Sequence, residues 1–204
     1  MKNYLMLNGQ KIELTEKQIS EMERIFGASK VKLEDVPVGK TFKIGEYEFV
    51  VLEHSKDTTS IIFKDLLKRN ETFGGCNNNF NDSNADRICC EFAEEIGNII
   101  GLENITVHTV DLTSDDGLKC YGTVERRMSL LTAEQYRRYV EILDKHKLDK
   151  WWWLATAYST PNHNDDDWVN CVAPSGVVYY VNYYSLISGV RPFCILKSNI
   201  FVSK

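Results

Sequence analysis

The sequence WWWLAT occupies residues 151–156, and it is followed by WVNCV at 168–172, VVYYVNYY at 177–184 and VRPFCIL at 190–196. These segments are short and rich in aromatic and β-branched residues, a composition that favours β-strands. Pro174-Ser175-Gly176 separates the second segment from the third and is typical of a turn. From Trp151 onward the chain is therefore predicted to form an aromatic-rich all-β module, which ends in a short strand at residues 199–202.

Two helices are predicted upstream from capping residues and apolar stripes. The first is capped by Ser83 or Asn84 and ends at Gly101. The members of its apolar stripe are Ile88, Phe92, Ile96 and Ile99. The second begins after Thr132, which has Gln135 at the capping-box position. Its buried face is predicted to contain Tyr136, Tyr139, Val140 and Leu143.

The rest of the chain alternates between strand and turn patterns. Strands are predicted at residues 42–44, 47–52, 58–63 and 105–112. Residues 28–40 contain Pro37 and Gly39, and this composition predicts a linker. Ahead of it, Asn8-Gly9 predicts a strand pair within residues 1–14, and Thr15 with Gln18 predicts a capped helix that ends at Gly27. The pattern indicates an α+β fold with a small N-terminal arm at 1–30 and a main domain at 41–204.

Composition and charge restrict the class of protein. The chain has 204 residues, a hydrophobic fraction of 43 % and a net charge of −5. This is enough apolar material for one good core. No basic run is present, whereas sequence-independent nucleic-acid binding requires a cationic surface. The N-terminus lacks the apolar segment of a signal peptide and no window has the length of a spanning helix, so a cytoplasmic protein is expected.

The six cysteines are expected to be reduced, because disulfides are rare in the cytosol. No C-x-x-C pair occurs, so the commonest zinc and thioredoxin-type motifs are absent. Cys89 and Cys90 are adjacent and lie in a helical pattern. We expect both thiols to be free, with Cys89 facing the core.

Catalytic motifs are absent from the sequence. The four histidines form neither H-E-x-x-H nor H-x-x-x-H, and no G-x-S-x-G occurs. Cys171 and Cys194 lie in apolar strand patterns, where a thiol is usually inert. His163 stands beside the run Asp165, Asp166 and Asp167, but a contiguous Asp run seldom turns all its oxygens toward one calcium ion. The sequence thus predicts no catalysis, no cofactor, no metal, and a solvated acidic loop at 165–167.

Aromatic residues are concentrated near the C-terminus. Strand alternation places Trp152 on the face opposite Trp151 and Trp153, so these three side chains do not share one core. Residues 179–185, with the sequence YYVNYYS, have the tyrosine, asparagine and serine content of an adaptable binding surface. Residues predicted to be structural are Trp152, Trp153 and Arg191, the last as a guanidinium that bridges two loops. Candidate binding residues are His163, Asp165, Asp166, Asp167, Tyr180, Tyr183 and Tyr184.

Several of these segments together resemble a bacterial domain family of unknown function that is found largely in phage and prophage genes. The resemblance rests on Trp152-Trp153-Leu154, then Val172-x-x-x-Gly176, then Gly189-Val190-Arg191-Pro192. The family's tryptophan motif usually runs W-W-L-R-S/T-P, and here Ala155 and Ala157 replace its arginine and proline. The opening strands around Phe42 and the segment Leu130-Leu131-Thr132 also match, so the resemblance spans about residues 38–196.

The order of the elements is also similar to the formylglycine-generating-enzyme and C-type-lectin type of fold. In that fold a final strand with a Gly-Phe/Val-Arg sequence closes the core, and long loops project from a compact scaffold. The resemblance therefore implies a C-type-lectin-like α+β fold with an aromatic-rich C-terminal β module. Fold likeness by itself carries no function.

Resemblance and composition together imply a non-enzymatic phage or prophage protein that acts by protein–protein interaction. The partner would be a protein of the bacterial cytoplasm, most concretely a host-defence nuclease such as a CRISPR nuclease that the chain inhibits. Asp165, Asp166 and Asp167 beside the aromatic residues would imitate nucleic acid in a basic groove. One alternative is a lectin-like module that recognises a ligand or receptor. A second alternative is an enzyme related to the formylglycine-generating type, with Cys171 and Cys194 in its C-terminal part.

Overall fold

The computed structural model describes residues 30–203 together with residues 4–7, 10–13, 15, 17 and 18. The helices are α1 (Asn84–Ile100) and α2 (Ala133–Leu143). The strands of the first half are β1 (Tyr4–Leu7), β2 (Gln10–Glu13), β3 (Lys30–Lys32), β4 (Thr41–Ile44), β5 (Tyr47–His54), β6 (Thr58–Phe63), β7 (Ile105–Thr106) and β8 (His108–Asp111). Those of the second half are β9 (Thr123–Arg126), β10 (Met128–Ser129), β11 (Trp151–Ala157), β12 (Trp168–Val172), β13 (Val178–Asn182), β14 (Ser188–Gly189), β15 (Phe193–Lys197) and β16 (Phe201–Ser203).

The large sheet has the strand order β10-β15-β6-β5-β4-β16-β3, and β7 pairs with β15. Its central strand β5 is buried on both faces, because Phe49 and Val51 enter one core and Val50 and Leu52 enter the other. Helix α1 packs on the first face and α2 on the second. The α+β class is thereby confirmed.

Local signals define both helices. Ser83 Oγ accepts a hydrogen bond from Asp86 N at 3.0 Å, and Gly101 ends α1 with φ +87°. Thr132 and Gln135 form the predicted capping box of α2. The expectation that Ile99 is buried is wrong, because Ile100 packs against the core in the last turn of α1. The Ile99 side chain is half exposed and lies near Gly45 in the β4–β5 turn.

The small sheet has the strand order β13-β12-β11-β14. Trp152 pairs with Gly189 in parallel and with Val172 in antiparallel register, so the strand that contains Trp152 and the segment at Gly189 lie in one sheet. The chain from Trp151 onward forms strands and one short 3-10 turn, as predicted, but its strands are shared between two sheets, because β15 and β16 belong to the large sheet. Arg191 and Pro192 lie outside the strands, and the chain crosses between the sheets there, which divides the strand predicted at 190–196.

Residues 30–36 belong to the folded body and do not form the predicted linker. Strand β3 pairs with β16, and Leu33 and Val36 are buried in the core. The composition around Pro37 and Gly39 obscured these apolar residues, which pack only against distant parts of the chain. Similarly, the strand predicted at 105–112 is divided at the exposed Val107 into β7 and β8, which join different sheets.

The N-terminal strand pair is confirmed by the β1–β2 ladder. Thr15 N donates to Gln18 Oε1 at 2.9 Å and Gln18 N donates to Thr15 Oγ1 at 3.3 Å, as the capping box requires. The remainder of that predicted helix, residues 19–27, lies outside the described residues. No helix in the described part of the chain is both long and apolar enough to cross a membrane.

All six cysteines are free. Cys89 is buried, as predicted, whereas Cys90 is exposed. Burial raises the pKa of the Cys171 thiol to about 12 and raises that of Cys194 as well. Since the thiolate is the reactive form, these two thiols are poor nucleophiles at neutral pH.

Candidate binding surface

Three aromatic side chains form an exposed cluster, here called the aromatic platform: Tyr158, Trp168 and Tyr180. The Tyr158 and Tyr180 rings are stacked with centroids 4.1 Å apart, and Trp168 meets Tyr180 edge-on at 5.7 Å. The exposed fractions are 38 % for Tyr158, 37 % for Trp168 and 42 % for Tyr180. Strand alternation explains the grouping, because Asn170 pairs with Tyr180 and Trp168 pairs with Asn182, so these residues share one face.

The face of the small sheet that carries the platform is covered by α2 near the start of β11. There the ring centroids of Tyr136 and Trp152 are 5.7 Å apart. The platform is the part of the face that this helix leaves open. On the opposite face Trp153 is buried and donates from Nε1 to the Glu71 carbonyl at 2.8 Å. The buried tryptophans Trp152 and Trp153 therefore hold the sheet between the two cores.

The two remaining candidate tyrosines differ from each other. Tyr183 is half-buried and anchors the backbone, since its N–H donates to the Asp167 carbonyl and its carbonyl accepts from Phe73 N. Tyr184 is 63 % exposed and meets Tyr183 edge-on. Tyr183 thus helps to position the acidic loop, while Tyr184 is free to make contacts at its edge.

The acidic loop, Asp165 to Asp167, directly precedes Trp168. Its backbone is fixed, because Asn78 N donates to the Asp166 carbonyl at 2.9 Å and Tyr183 N donates to the Asp167 carbonyl at 2.9 Å. Asp167 is exposed, and Asp165 and Asp166 are half-buried. Three carboxylates are therefore held beside the aromatic platform on a backbone of defined conformation.

Asn78 joins three loops beneath this surface. Its fully buried side chain donates to the carbonyls of Ser159 and Trp168, each at 2.8 Å. Its Oδ1 accepts from the Tyr121 hydroxyl at 2.6 Å. Buried polar networks that are well satisfied favour a single conformation. The loop of residues 70–84, to which Asn78 belongs, thus orders the segments that carry the platform.

His163 does not pair with the adjacent Asp run, although the sequence places them together. Its Nδ1 lies 2.8 Å from Oδ2 of Asp116, which belongs to the loop after β8. The same carboxylate accepts from Ser159 Oγ at 2.8 Å, from Leu118 N at 3.1 Å and from the Ser114 hydroxyl. Burial raises the pKa of Asp116, but these hydrogen bonds outweigh it and bring the pKa down to about 2.

Asp116→Asn should therefore lower stability in a pH-dependent way. Because the pKa of Asp116 is lower in the folded state, its ionised carboxylate stabilises the fold at pH values above its unfolded-state pKa near 4. This stabilisation is lost as the pH falls toward 2. The difference in unfolding free energy between wild type and variant is expected to have its maximum value at pH 6 and to decrease between pH 4 and pH 2. Urea titrations across this range measure it. A difference that stays constant with pH would contradict the proposed role of the carboxylate.

A cleft of about 560 Å³ borders the platform, with His163, Asp165, Arg137 and Tyr158 among its lining residues. Ser159 Oγ donates to Asp116 and not to His163, so serine and imidazole do not form a nucleophile–base pair. Arg137 contacts Asp115 at 3.4 Å. The described residues contain no group of three His, Cys, Asp or Glu side chains placed to hold a metal ion. The arrangement is that of a hydrogen-bonded, charged recess beside an aromatic surface.

Arg191 lies within the protein and not on this surface. It is 1 % exposed, its Nε donates to the Phe63 carbonyl at 2.9 Å, and its Nη2 donates to the carbonyls of Lys64 at 3.1 Å and His146 at 3.3 Å. The guanidinium also lies 5.1 Å from the centre of the Trp152 ring. This is the bridging geometry expected from sequence, with backbone carbonyls as the acceptors.

The sequence reading omitted Tyr158, Trp168, Asn78 and Asp116 from the site. Tyr158 and Trp168 flank the loop at 159–167, so their position as aromatic residues beside the acidic run was a signal for both. Asn78 and Asp116 reach the site through contacts across 81 and 47 positions of the chain, for which no local pattern exists. Comparison with protein-family models, curated proteins and solved structures found no match.

Proposed function

We propose that the chain binds another protein through the aromatic platform and the acidic loop. The observation that carries this proposal is the exposure of Tyr158 and Trp168, both packed on Tyr180, beside the three carboxylates of a loop that the buried Asn78 orders. Tyrosine and tryptophan supply large contact areas and lose little conformational entropy on binding. Packing of the rings against one another and ordering of the loops reduce that loss further.

The proposed partner has a basic surface. The chain carries a net charge of −5, and Asp165, Asp166 and Asp167 concentrate negative charge at one border of the platform. Arg137, a nearby cation, already contacts Asp115. Complementary charges accelerate encounter and select the partner. Lysine and arginine side chains also bind favourably over aromatic faces.

The resemblance to a phage-associated family extends the proposal to the partner's class. A nuclease of bacterial defence, such as a CRISPR nuclease, has a basic groove for nucleic acid, and the acidic loop would occupy it in the cytoplasm. The scaffold is proposed to be of the C-type-lectin-like type, in which loops gathered at one end of a sheet make the contacts. The loops at 70–84, 112–122 and 158–168 meet at Asn78, which supports that arrangement.

Neutralising the acidic loop tests the proposal. The variant Asp165→Asn, Asp166→Asn, Asp167→Asn is expected to retain its melting temperature and to capture far less of the partner protein from a bacterial lysate than wild type does, measured by quantitative mass spectrometry. The matched control is Glu94→Gln, Glu103→Gln, Glu141→Gln, which removes three exposed charges elsewhere. Equal capture by wild type and both variants, or equal loss in both, would overturn the proposal.

A further inference from the structure

Strand β13 forms an open edge of the small sheet. It is the terminal strand in the order, and it pairs with β12 through five successive residue pairs without a bulge. Ala173 N donates to the Val177 carbonyl and Tyr183 N donates to the Asp167 carbonyl, so the odd-numbered residues bond to β12. The backbone N–H and C=O groups of Val178 and Tyr180 therefore point outward. No described strand pairs with that edge.

The other edges of the two larger sheets are protected. Strands β10 and β14 have two residues each, and β3 has three, of which two are lysines, Lys30 and Lys32. Short length and lysine are the usual means by which proteins prevent unwanted strand pairing. Strand β13 has the sequence VYYVN, with no charge and no proline. Its edge therefore lacks the features that block the addition of another strand.

We propose that β13 accepts an extended basic segment of the partner as a fifth strand of the small sheet. This inference rests on the proposed function and assigns the partner's conformation at that site. Strand addition supplies affinity through the backbone, and alternate side chains supply selectivity. Side chains on one face of the added strand would meet Tyr180, whose ring contacts both Tyr158 and Trp168.

Charge favours a basic segment over a second copy of this chain. Tyr183 N donates to the Asp167 carbonyl at one end of the ladder between β12 and β13, so the acidic loop lies one strand away from the open edge at that end. Lysine or arginine in the added segment would lie beside the Tyr180 ring, and its long side chain would extend across β13 toward these carboxylates. A second copy would bring β13 without a single basic residue and a further net charge of −5.

Hydrogen exchange at the edge tests strand addition. The probe is a seven-residue peptide of alternating lysine and valine, and its control is the same peptide with glutamate in place of lysine. NMR-detected exchange of the Val178 and Tyr180 amides is expected to slow at least fivefold with the lysine peptide and to stay unchanged with the glutamate peptide. Protection that rises with protein concentration in the absence of peptide would instead identify a second copy as the occupant and overturn the proposal.

A proline at the edge provides an independent measurement. Val178→Pro removes one outward N–H and leaves the bonds to β12 intact, so peptide affinity is expected to fall at least fivefold, whereas Val178→Ala retains it. If the peptide shifts the Trp168 and Tyr180 ring signals without slowing either amide, strand addition is wrong while the platform remains a binding surface. If the peptide does not bind at millimolar concentration, strand addition is likewise wrong. The charge variants above decide separately whether the proposed function stands.

Discussion

Replacing Arg191 with alanine is expected to lower the free energy of unfolding by about 3–5 kcal/mol. The substitution leaves the carbonyls of Phe63, Lys64 and His146 without their donor, and an unsatisfied buried acceptor costs about 1–3 kcal/mol. It also opens a cavity against Trp152. Desolvation lowers the pKa of the guanidinium to about 10, so the burial of its charge offsets part of this stabilisation. For a chain of this size the melting temperature should fall by roughly 6–20 °C.

Two further variants separate the effect of the buried guanidinium geometry from the effect of removing a positive charge. Arg191→Lys keeps the charge but replaces the planar fork with a single ammonium, which does not reach three carbonyls on two segments, so destabilisation is expected to persist. Arg69→Ala removes an exposed arginine that contacts Asp65 at 3.4 Å, and it should change stability by less than about 1 kcal/mol. Thermal and urea unfolding measure all three. A fully stable Arg191→Ala variant that loses partner capture would place Arg191 in the binding site.

Tyr180→Ala is expected to weaken partner binding by about 2 kcal/mol or more, which is roughly thirtyfold in affinity. Tyr180 contacts both other rings of the aromatic platform, so its removal takes away a contact surface and also releases Tyr158 and Trp168. The matched control is Phe201→Ala on the large sheet, where the ring is 62 % exposed. Titration with the captured partner measures both affinities. An equal loss in the two variants would show that general surface hydrophobicity, and not the platform, determines binding.

Elements defined by neighbouring residues were predictable from the sequence. The caps at Ser83 and Thr132 and the Gly101 terminus depend on side chains within one helical turn. The pairing of Trp152 with Gly189 joins residues 37 positions apart, and no local pattern indicates it. Strands β9 and β10 were not anticipated, because their short sequences acquire strand geometry only from the partners β8 and β15.

The candidate site was predictable only in part. The acidic loop and Tyr180 stand out in the sequence because composition alone identifies them. The pairing of His163 with Asp116 and the role of Asn78 depend on loops that meet only in the folded chain. A similar limit applies to β13, since its open edge is a property of sheet order and not of its own residues. Long-range topology thus determines which of the predicted residues share a surface.

Site-specific cross-linking in bacterial cells tests the central claim most directly. A photoreactive benzoylphenylalanine is placed at Tyr180 in one version of the protein and at Phe201 in another, and the cross-linked proteins are identified by mass spectrometry. The platform account predicts that position 180 cross-links reproducibly to one protein with a basic surface, and that position 201 does not. Cross-linking of the same protein with equal yield from both positions, or of position 180 only to further copies of this chain, would contradict it.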